Sequence, residues 1–396
     1  MIAARRRWTI LAVGTLSQAA TCSFIFGIPM LVPALRAQEH LSLFGSSLIV
    51  SAPIVGLLLT LIAWGAAADR HGERSVIASG VGLAAALVAV AAVVPGPVAL
   101  AVVLVLAGAA GASVNAASGR VVMGWFPVQE RGLAMGTRQT AQPLGVAVAA
   151  LALPPLARAH GARTALLFPA ACCALAALAV VLLVADPPRA ARAVGASVPS
   201  PYRACRGSRH LGRVHLASSM LVVPQFAVAS FTLVYLVGQR HWDPAVAGRM
   251  IFGFQVAGAF GRVASGVWSD RVRSRLRPMR QLAVTSALLM GLLALGAWVH
   301  AWWIVIGFAL GAVVTVADNG LAYVSVAELA GSEWAGRALG VQNTVQNVAA
   351  VATAPLLAAV IGDSRYALGF AVVAAFPLLA VPLTPVRAER PIPIGT

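Results

Sequence analysis

Lysine does not occur in the 396 residues; all 29 basic residues are arginine. A P-loop grips nucleotide phosphates with a lysine, so a built-in ATPase is excluded, and energy for any work must come from ion or solute gradients. Charge of either sign is scarce. Only 10% of residues are charged, against about a quarter in a soluble domain, which sets this chain outside that class. The 12 acids form no Ser-His-Asp grouping and no metal-ligand spacing, so neither an enzyme nor a bound metal or cofactor is expected. Of the four cysteines, Cys22, Cys172 and Cys173 fall in apolar stretches and Cys205 in a polar one. That pattern is no disulfide framework.

What the chain has in abundance is apolar length. It is 60% hydrophobic with a mean hydropathy of +0.86, and runs of about 20 residues, enough to cross a bilayer's hydrocarbon core, recur throughout. Twelve membrane helices are expected near 8–32, 44–66, 75–94, 98–121, 133–156, 163–184, 213–238, 246–268, 280–299, 302–327, 338–360 and 366–386. Arg5-Arg6-Arg7 ahead of the first run resembles a signal peptide, but the run is too long and lacks a small-residue cleavage site, so it reads as an uncleaved helix. With both termini cytoplasmic, only Arg36, Arg158, Arg163, Arg240, Arg249 and Arg365 fall outside the cytoplasmic half, leaving 29 − 6 = 23 arginines within it. That is the positive-inside bias, so the net charge of +17 reports topology in a lipid bilayer and no nucleic-acid partner. Lysine-free, Ala- and Arg-rich usage hints at a GC-rich bacterium and hence its cytoplasmic membrane.

One long hydrophilic break, 185–212, divides the chain into six-helix bundles at 1–184 and 213–396. A shift of 201 places Gly65, Asp69 and Arg70 on Gly266, Asp270 and Arg271; a shift of 204 places Asn115 on Asn319 and "AMGTRQTAQ" (134–142) on "ALGVQNTVQ" (338–346). Paired Asn, Thr and Gln inside apolar helices mark an internal repeat. Six helices separate the copies, so both keep one orientation and the bundles are pseudo-symmetric about the membrane normal.

The pattern Gly65, Asp69, Arg70, Gly72, Arg74 between spans 2 and 3 resembles the G-x-x-x-D-[RK]-x-G-x-[RK]-[RK] motif of the major facilitator superfamily of secondary transporters. Ser75 departs at its last position, and the second copy (Gly266, Asp270, Arg271) lacks the inner glycine. "WFPVQERGLAMG" (125–136) and "RQTAQPLG" (138–145) are similar to a bacterial branch of the family, and the resemblance covers essentially the whole chain. It implies the all-α, twelve-helix, two-bundle fold. It also implies that Asp69 caps the start of span 11 near Arg337 and Ala338, closes the cytoplasmic side and lets go when the halves rock. A carboxylate at a helix N-terminus is worth up to about 2 kcal/mol. In this reading Gly65, Asp69, Arg70, Gly72, Arg74, Gly266, Asp270 and Arg271 form the gating set; the plainer alternative is that the loop fixes topology alone. Pro143 and Gly145 match the family's antiporter motif in span 5, while Ala141 and Gln142 depart from it.

Ionisable groups at membrane depth cost about 3 kcal/mol or more and need a partner or a task. Asp318 is the one acid well inside a span, about 24 Å from the outer end of span 10 at 1.5 Å per residue. It is a candidate for proton coupling or for binding a cationic group; the alternative is a permanent ion pair with an arginine such as Arg138. Arg138, Gln142 and Gly145 share one face of span 5, and Gln342 and Gln346 occupy the repeat-related face of span 11. A guanidinium flanked by amides suits a carboxylate or phosphate; interhelical glue and snorkelling are the alternatives. Asn115, Asn319 and Tyr323 are further substrate-binding candidates, because the resemblance implies that spans 1, 4, 7 and 10 line the cavity. Gln18, Gln225, Tyr235 and Gln255 are secondary ones. Arg120 and Arg262 read as snorkelling arginines near cytoplasmic ends, and His215 as interfacial. Pro29, Pro33, Pro143 and Pro224 are expected to break their helices.

The expected function is alternating-access movement of a small organic solute, with protons as partner and an anion as the leading class, by a protein acting as a monomer. Efflux of cationic or amphipathic compounds by proton exchange, and a non-transporting receptor on the same fold, are the alternatives.

Overall fold

In the computed structural model, residues 2–187, 200–202, 206–362 and 364–389 are described. Residues 188–199 and 203–205 of the linker, Cys205 among them, lie outside that set. The described residues are helical throughout, without a strand. The helices are α1 (Ile2–Ile25), α2 (Val32–Glu39), α3 (Leu43–His71), α4 (Glu73–Ala91), α5 (Pro97–Trp125), α6 (Arg131–Arg138), α7 (Ala141–His160), α8 (Ala162–Ala165), α9 (Leu167–Leu183), α10 (Arg206–Gly238), α11 (Pro244–Arg271), α12 (Leu276–Trp298), α13 (Ile304–Val314), α14 (Asn319–Ala330), α15 (Ala335–Ile361) and α16 (Tyr366–Leu383). They assemble into 12 spans long and apolar enough to cross a membrane. Large apolar side chains point outward along them, Leu59 at 73% and Leu151 at 74% exposure among others, as a surface bathed in lipid tails requires.

The helix breaks depart from the sequence expectation in an informative way. Span 1 ends at Ile25 rather than 32, and a 3-10 turn at Ile28–Leu31 leads into α2. Pro29 and Pro33 lack the N–H that would carry the ladder onward. Span 5 breaks between Arg138 and Ala141, because Pro143 cannot donate to the carbonyl of residue 139, four residues back. Span 7, by contrast, is the unbroken α10, which runs straight through Pro224. Span 10 breaks without any proline, between Val314 and Asn319. There the Thr315 hydroxyl bonds back to the Gly311 carbonyl at 2.7 Å, and Ala317 N–H reaches the i−3 carbonyl of Val314 at 3.3 Å.

The chain forms two compact units. Unit 1 holds residues 1–126, 140–198 and 331–344. In it α3 and α5 approach to backbone distance, since a Cβ on Gly108 would strike the backbone of Pro53 and one on Gly56 that of Val105. The Ala109 carbonyl there accepts from both Thr60 Oγ1 and Trp64 Nε1 at 2.7 Å. Unit 2 holds residues 127–139, 199–330 and 345–396, so each unit includes a short segment from the other half of the chain. Its core is aromatic. Tyr235 sits 5.6 Å from Phe308 and 5.1 Å from Tyr366, ring centre to ring centre, with its hydroxyl buried and, among the described residues, without a hydrogen-bond partner. Gln255 is exposed on α11. Tyr202 folds back on α10, its hydroxyl 3.1 Å from His215 Nε2 and its ring stacked 6.1 Å from the imidazole, centre to centre.

Candidate functional site

Asp69 stands in the last turn of α3. Its Oδ1 accepts the Gly336 N–H at 2.9 Å and its Oδ2 the Arg337 N–H at 3.1 Å, two of the four donors that a helix start leaves unsatisfied, here that of α15. Gly65, one turn earlier, makes the approach possible: a Cβ at that position would land on the Gly336 carbonyl. Arg120 of α5 pairs with Asp69 and with Glu73, the latter at 2.6 Å, and donates to the Ser332 carbonyl at 2.8 Å. The Asp69 and Glu73 side chains are 2% and 1% exposed. Gly72 adopts φ 99°, ψ 160°, a glycine conformation that turns the chain between α3 and α4. Arg74 leaves the cap: its N–H meets Asp186 at 2.8 Å and its guanidinium the Val181 carbonyl at 2.5 Å.

Unit 2 repeats the device with other supports. Asp270, at the end of α11, accepts the Gly132 and Leu133 N–H groups at 3.0 and 2.8 Å, capping α6. A Cβ on Gly266 would fall on the Gly132 carbonyl. The cation is Arg275, paired with Asp270, 2.6 Å from Ser269 Oγ and 3.8 Å from Glu328. Arg131 reaches Glu328 at 3.5 Å. Arg70 and Arg271 are exposed and take part in neither cap.

Polar side chains inside the spans gather into one cluster per unit. In unit 1 Gln18 of α1 donates to Asn115 Oδ1 of α5 at 2.9 Å and accepts from Ser118 at 3.3 Å, while Asn343 donates to the Asn115 carbonyl at 3.4 Å. In unit 2 Asn319 of α14 donates to Gln225 of α10 at 2.9 Å, and Gln346 donates to Ser218 at 2.6 Å and to Asn319 at 3.3 Å. The same Gln–Asn bridge thus joins the first and fourth spans of each half. Gln342 is fully buried in unit 1, and Gln142 is half-buried there. Arg138 is buried in unit 2, its guanidinium 5.4 Å from the Tyr323 ring centre and 2.8 Å from Gln139 Oε1. The turn at 139–140 interrupts the continuous helical face on which Arg138 and Gln142 were expected to share a side.

Asp318 lies in the break of span 10, 2% exposed. The cation it faces electrostatically is Arg262 of α11 rather than Arg138. Arg262 is itself 5% exposed, so it does not snorkel; nor does Arg120, held in the Asp69 cap. Among the described residues no hydrogen bond closes the Asp318–Arg262 pair, and Asp318 Oδ2 and Arg262 Nη1 are both buried without a hydrogen-bond partner. Ser265 covers the carbonyl that the break exposes, donating to Ala317 O at 2.6 Å. Arg275, Glu328, Gly132 and Gly336 complete the two caps and are not among the residues expected from the sequence, although the shift of 204 carries Gly132 onto Gly336.

A family model described as the Major Facilitator Superfamily matches residues 11–355. An uncharacterised MFS-type transporter of Mycobacterium tuberculosis, strain H37Rv, is 43% identical over 387 residues, covering 97% of this chain and 86% of the relative. Among solved structures, the MFS transporter FucP in its outward conformation aligns with a TM-score of 0.74 at 17% identity, over 96% of this chain and 99% of that one. The human organic anion transporter MFSD10 aligns with a TM-score of 0.72 at 17% identity, over 96% and 99% of the two chains. Such structural likeness at low identity shows the fold, while the family match and the close relative show kinship: this chain is a multi-pass membrane protein that belongs to the Major Facilitator Superfamily of transporters.

Proposed function

We propose that this protein is a secondary active transporter that moves a small organic solute by alternating access, coupled to protons through Asp318, and that it works as a monomer in a bacterial cytoplasmic membrane with both termini inside. One observation carries the reading: a buried carboxyl stands in a proline-free break of span 10, opposite a buried arginine to which no hydrogen bond ties it. Discontinuous helices with polar groups at the break are where secondary transporters hold solutes and coupling ions. When Asp318 is ionised it attracts Arg262; when it takes a proton the attraction ends, and α11 and α14 are free to shift. The Asn319 cluster abuts Asp318 in sequence, so a solute bonded to Asn319 and Gln346 is sensed next to the proton site. Arg138 over Tyr323 supports an anionic solute, since a guanidinium binds carboxylate or phosphate bidentately. The open Asp318 Oδ2 favours a second reading, proton-exchange efflux of a cation. In both readings the Asp69 and Asp270 caps act as gates.

Thermal unfolding of the purified protein against a panel of organic anions and cations tests this, because a ligand that binds only the folded state raises the midpoint. The expected result is stabilisation by particular anions that disappears in Arg138→Gln. Stabilisation by cations that disappears in Asp318→Asn selects efflux. Stabilisation that survives both substitutions contradicts the site assignment.

A further inference from the structure

At the arginine-rich end of unit 2, a cavity of about 360 Å³ opens between the starts of α10 and α12 and the end of α16. His210, Arg213, Arg280 and Arg387 line it, and among the described residues no acid does. These groups are not equally occupied. Arg213 is turned onto the last carbonyls of α16, 2.6 Å from Pro382 O and 3.1 Å from Leu383 O. Arg280 and Arg387 are exposed and, among the described residues, have no hydrogen bond or ion pair. His210 Nδ1 is buried without a partner. Glu389, two residues beyond Arg387, is taken up elsewhere: it accepts from Ser274 Oγ and from the N–H groups of Arg275 and Leu276, capping α12.

Cationic groups held around one concavity without an acid repel one another and focus a positive potential that an anion relieves. Arginine forks match the oxygens of a phosphate in particular. The remaining wall is Val381, Pro382, Pro385 and Val386 with Thr384, whose hydroxyl is turned back onto the Ala380 carbonyl at 2.8 Å. One turn back along α16, Leu378 and Leu379 are 58% and 57% exposed, an apolar surface next to the cavity on the same helix. A basic pocket at the end of membrane helices, with apolar side chains in its wall and exposed leucines beside it, has the chemistry of a headgroup site.

We infer that this cavity binds the phosphate of an anionic glycerophospholipid, with Arg280 and Arg387 gripping the headgroup and an acyl chain lying along α16. The site is separate from the polar clusters and the caps, and it stands whichever solute the protein moves.

The test is the unfolding midpoint of the full chain in nanodiscs of phosphatidylcholine alone and of phosphatidylcholine with phosphatidylglycerol. Wild-type protein gains several degrees from phosphatidylglycerol. The double variant Arg280→Gln/Arg387→Gln loses at least half of that gain, while Arg273→Gln/Arg277→Gln, which removes the same charge at the same end but outside the cavity, keeps it. No gain in the wild type, an undiminished gain in the cavity variant, or an equal loss in the control pair overturns the assignment. Glycerol 3-phosphate added to phosphatidylcholine discs distinguishes the source: it gives little gain if the site needs a lipid. A gain equal to that from phosphatidylglycerol overturns the lipid reading in favour of a soluble phosphate ester.

Discussion

In the cap at Asp69 the nearest arginine comes from within a span, Arg120 of α5, with Arg337 Nε 3.6 Å from the other oxygen, and the second acid comes from the loop side, Glu73 at the start of α4. In the cap at Asp270 the arginine comes from the loop side, Arg275, and the second acid from a span, Glu328 of α14. Arg275 is the repeat equivalent of Arg74, by the shift of 201, yet Arg74 leaves its own cap for Asp186 and Val181. What both copies keep is the aspartate on two N–H groups of a helix start and the glycine that brings the two backbones together. The charge network around that kernel has exchanged its donors and acceptors. The helix-start bond and the close approach are therefore the device itself, and the arginine neutralises the aspartate from whichever side geometry allows.

The comparison breaks or sharpens at particular substitutions. The largest effect is expected at Arg120→Gln, which removes the nearest cation from two nearly inaccessible acids and leaves Asp69 with Arg337 Nε at 3.6 Å; removing one partner of a buried pair costs about 3–5 kcal/mol. Arg275→Gln should cost less in the same unfolding measurement, because Asp270 and Glu328 side chains are 12% and 24% exposed and Arg131 still reaches Glu328. A larger loss at Arg275 would reverse the ranking of the two caps. Gly65→Ala and Gly266→Ala should each destabilise by about 1–3 kcal/mol, since both force a methyl onto a facing backbone. If the two differ widely, the shared kernel is not shared. Asp69→Asn keeps one of the two acceptor oxygens, turns an NH2 toward the other N–H and loses the charge at the α15 start, a stability loss of about 1–3 kcal/mol; the protein should still insert, and solute flux in vesicles should fall. Normal flux would leave the cap a topological marker. The smallest effect concerns the inner glycine that the second copy lacks. Arg273 stands there with φ 53°, a left-handed conformation that costs a non-glycine residue about 1–2 kcal/mol. Arg273→Gly should raise stability by up to about 1 kcal/mol, the remainder being offset by glycine's greater freedom in the unfolded chain.

The spans were legible because each must be about 20 apolar residues long, and bilayer thickness imposes that length on every one of them. Asp69 and Asp270 were legible as a pair because charged residues at a fixed offset are rare in so apolar a chain. The break in span 10 was not, since no proline announces it; it rests on Thr315 bonding back to Gly311 and on Ser265 of another helix covering the Ala317 carbonyl. Arg120 and Arg262 were misread for one physical reason. Distance along a helix from the membrane edge suggests snorkelling, but only the neighbouring helices decide whether an acid stands opposite. Tyr235 and Gln225 show the same limit. Both are polar residues on α10, yet one is packed among aromatic rings and the other bonds Asn319.

The most direct test of proton coupling through Asp318 is uphill accumulation in proteoliposomes. A solute that stabilises the purified protein would be supplied at equal concentration on both sides under an imposed pH gradient, for wild type and Asp318→Asn. The account predicts that wild type concentrates the solute against its gradient, while Asp318→Asn exchanges labelled for unlabelled solute without net accumulation. Accumulation by Asp318→Asn to the wild-type level would contradict it.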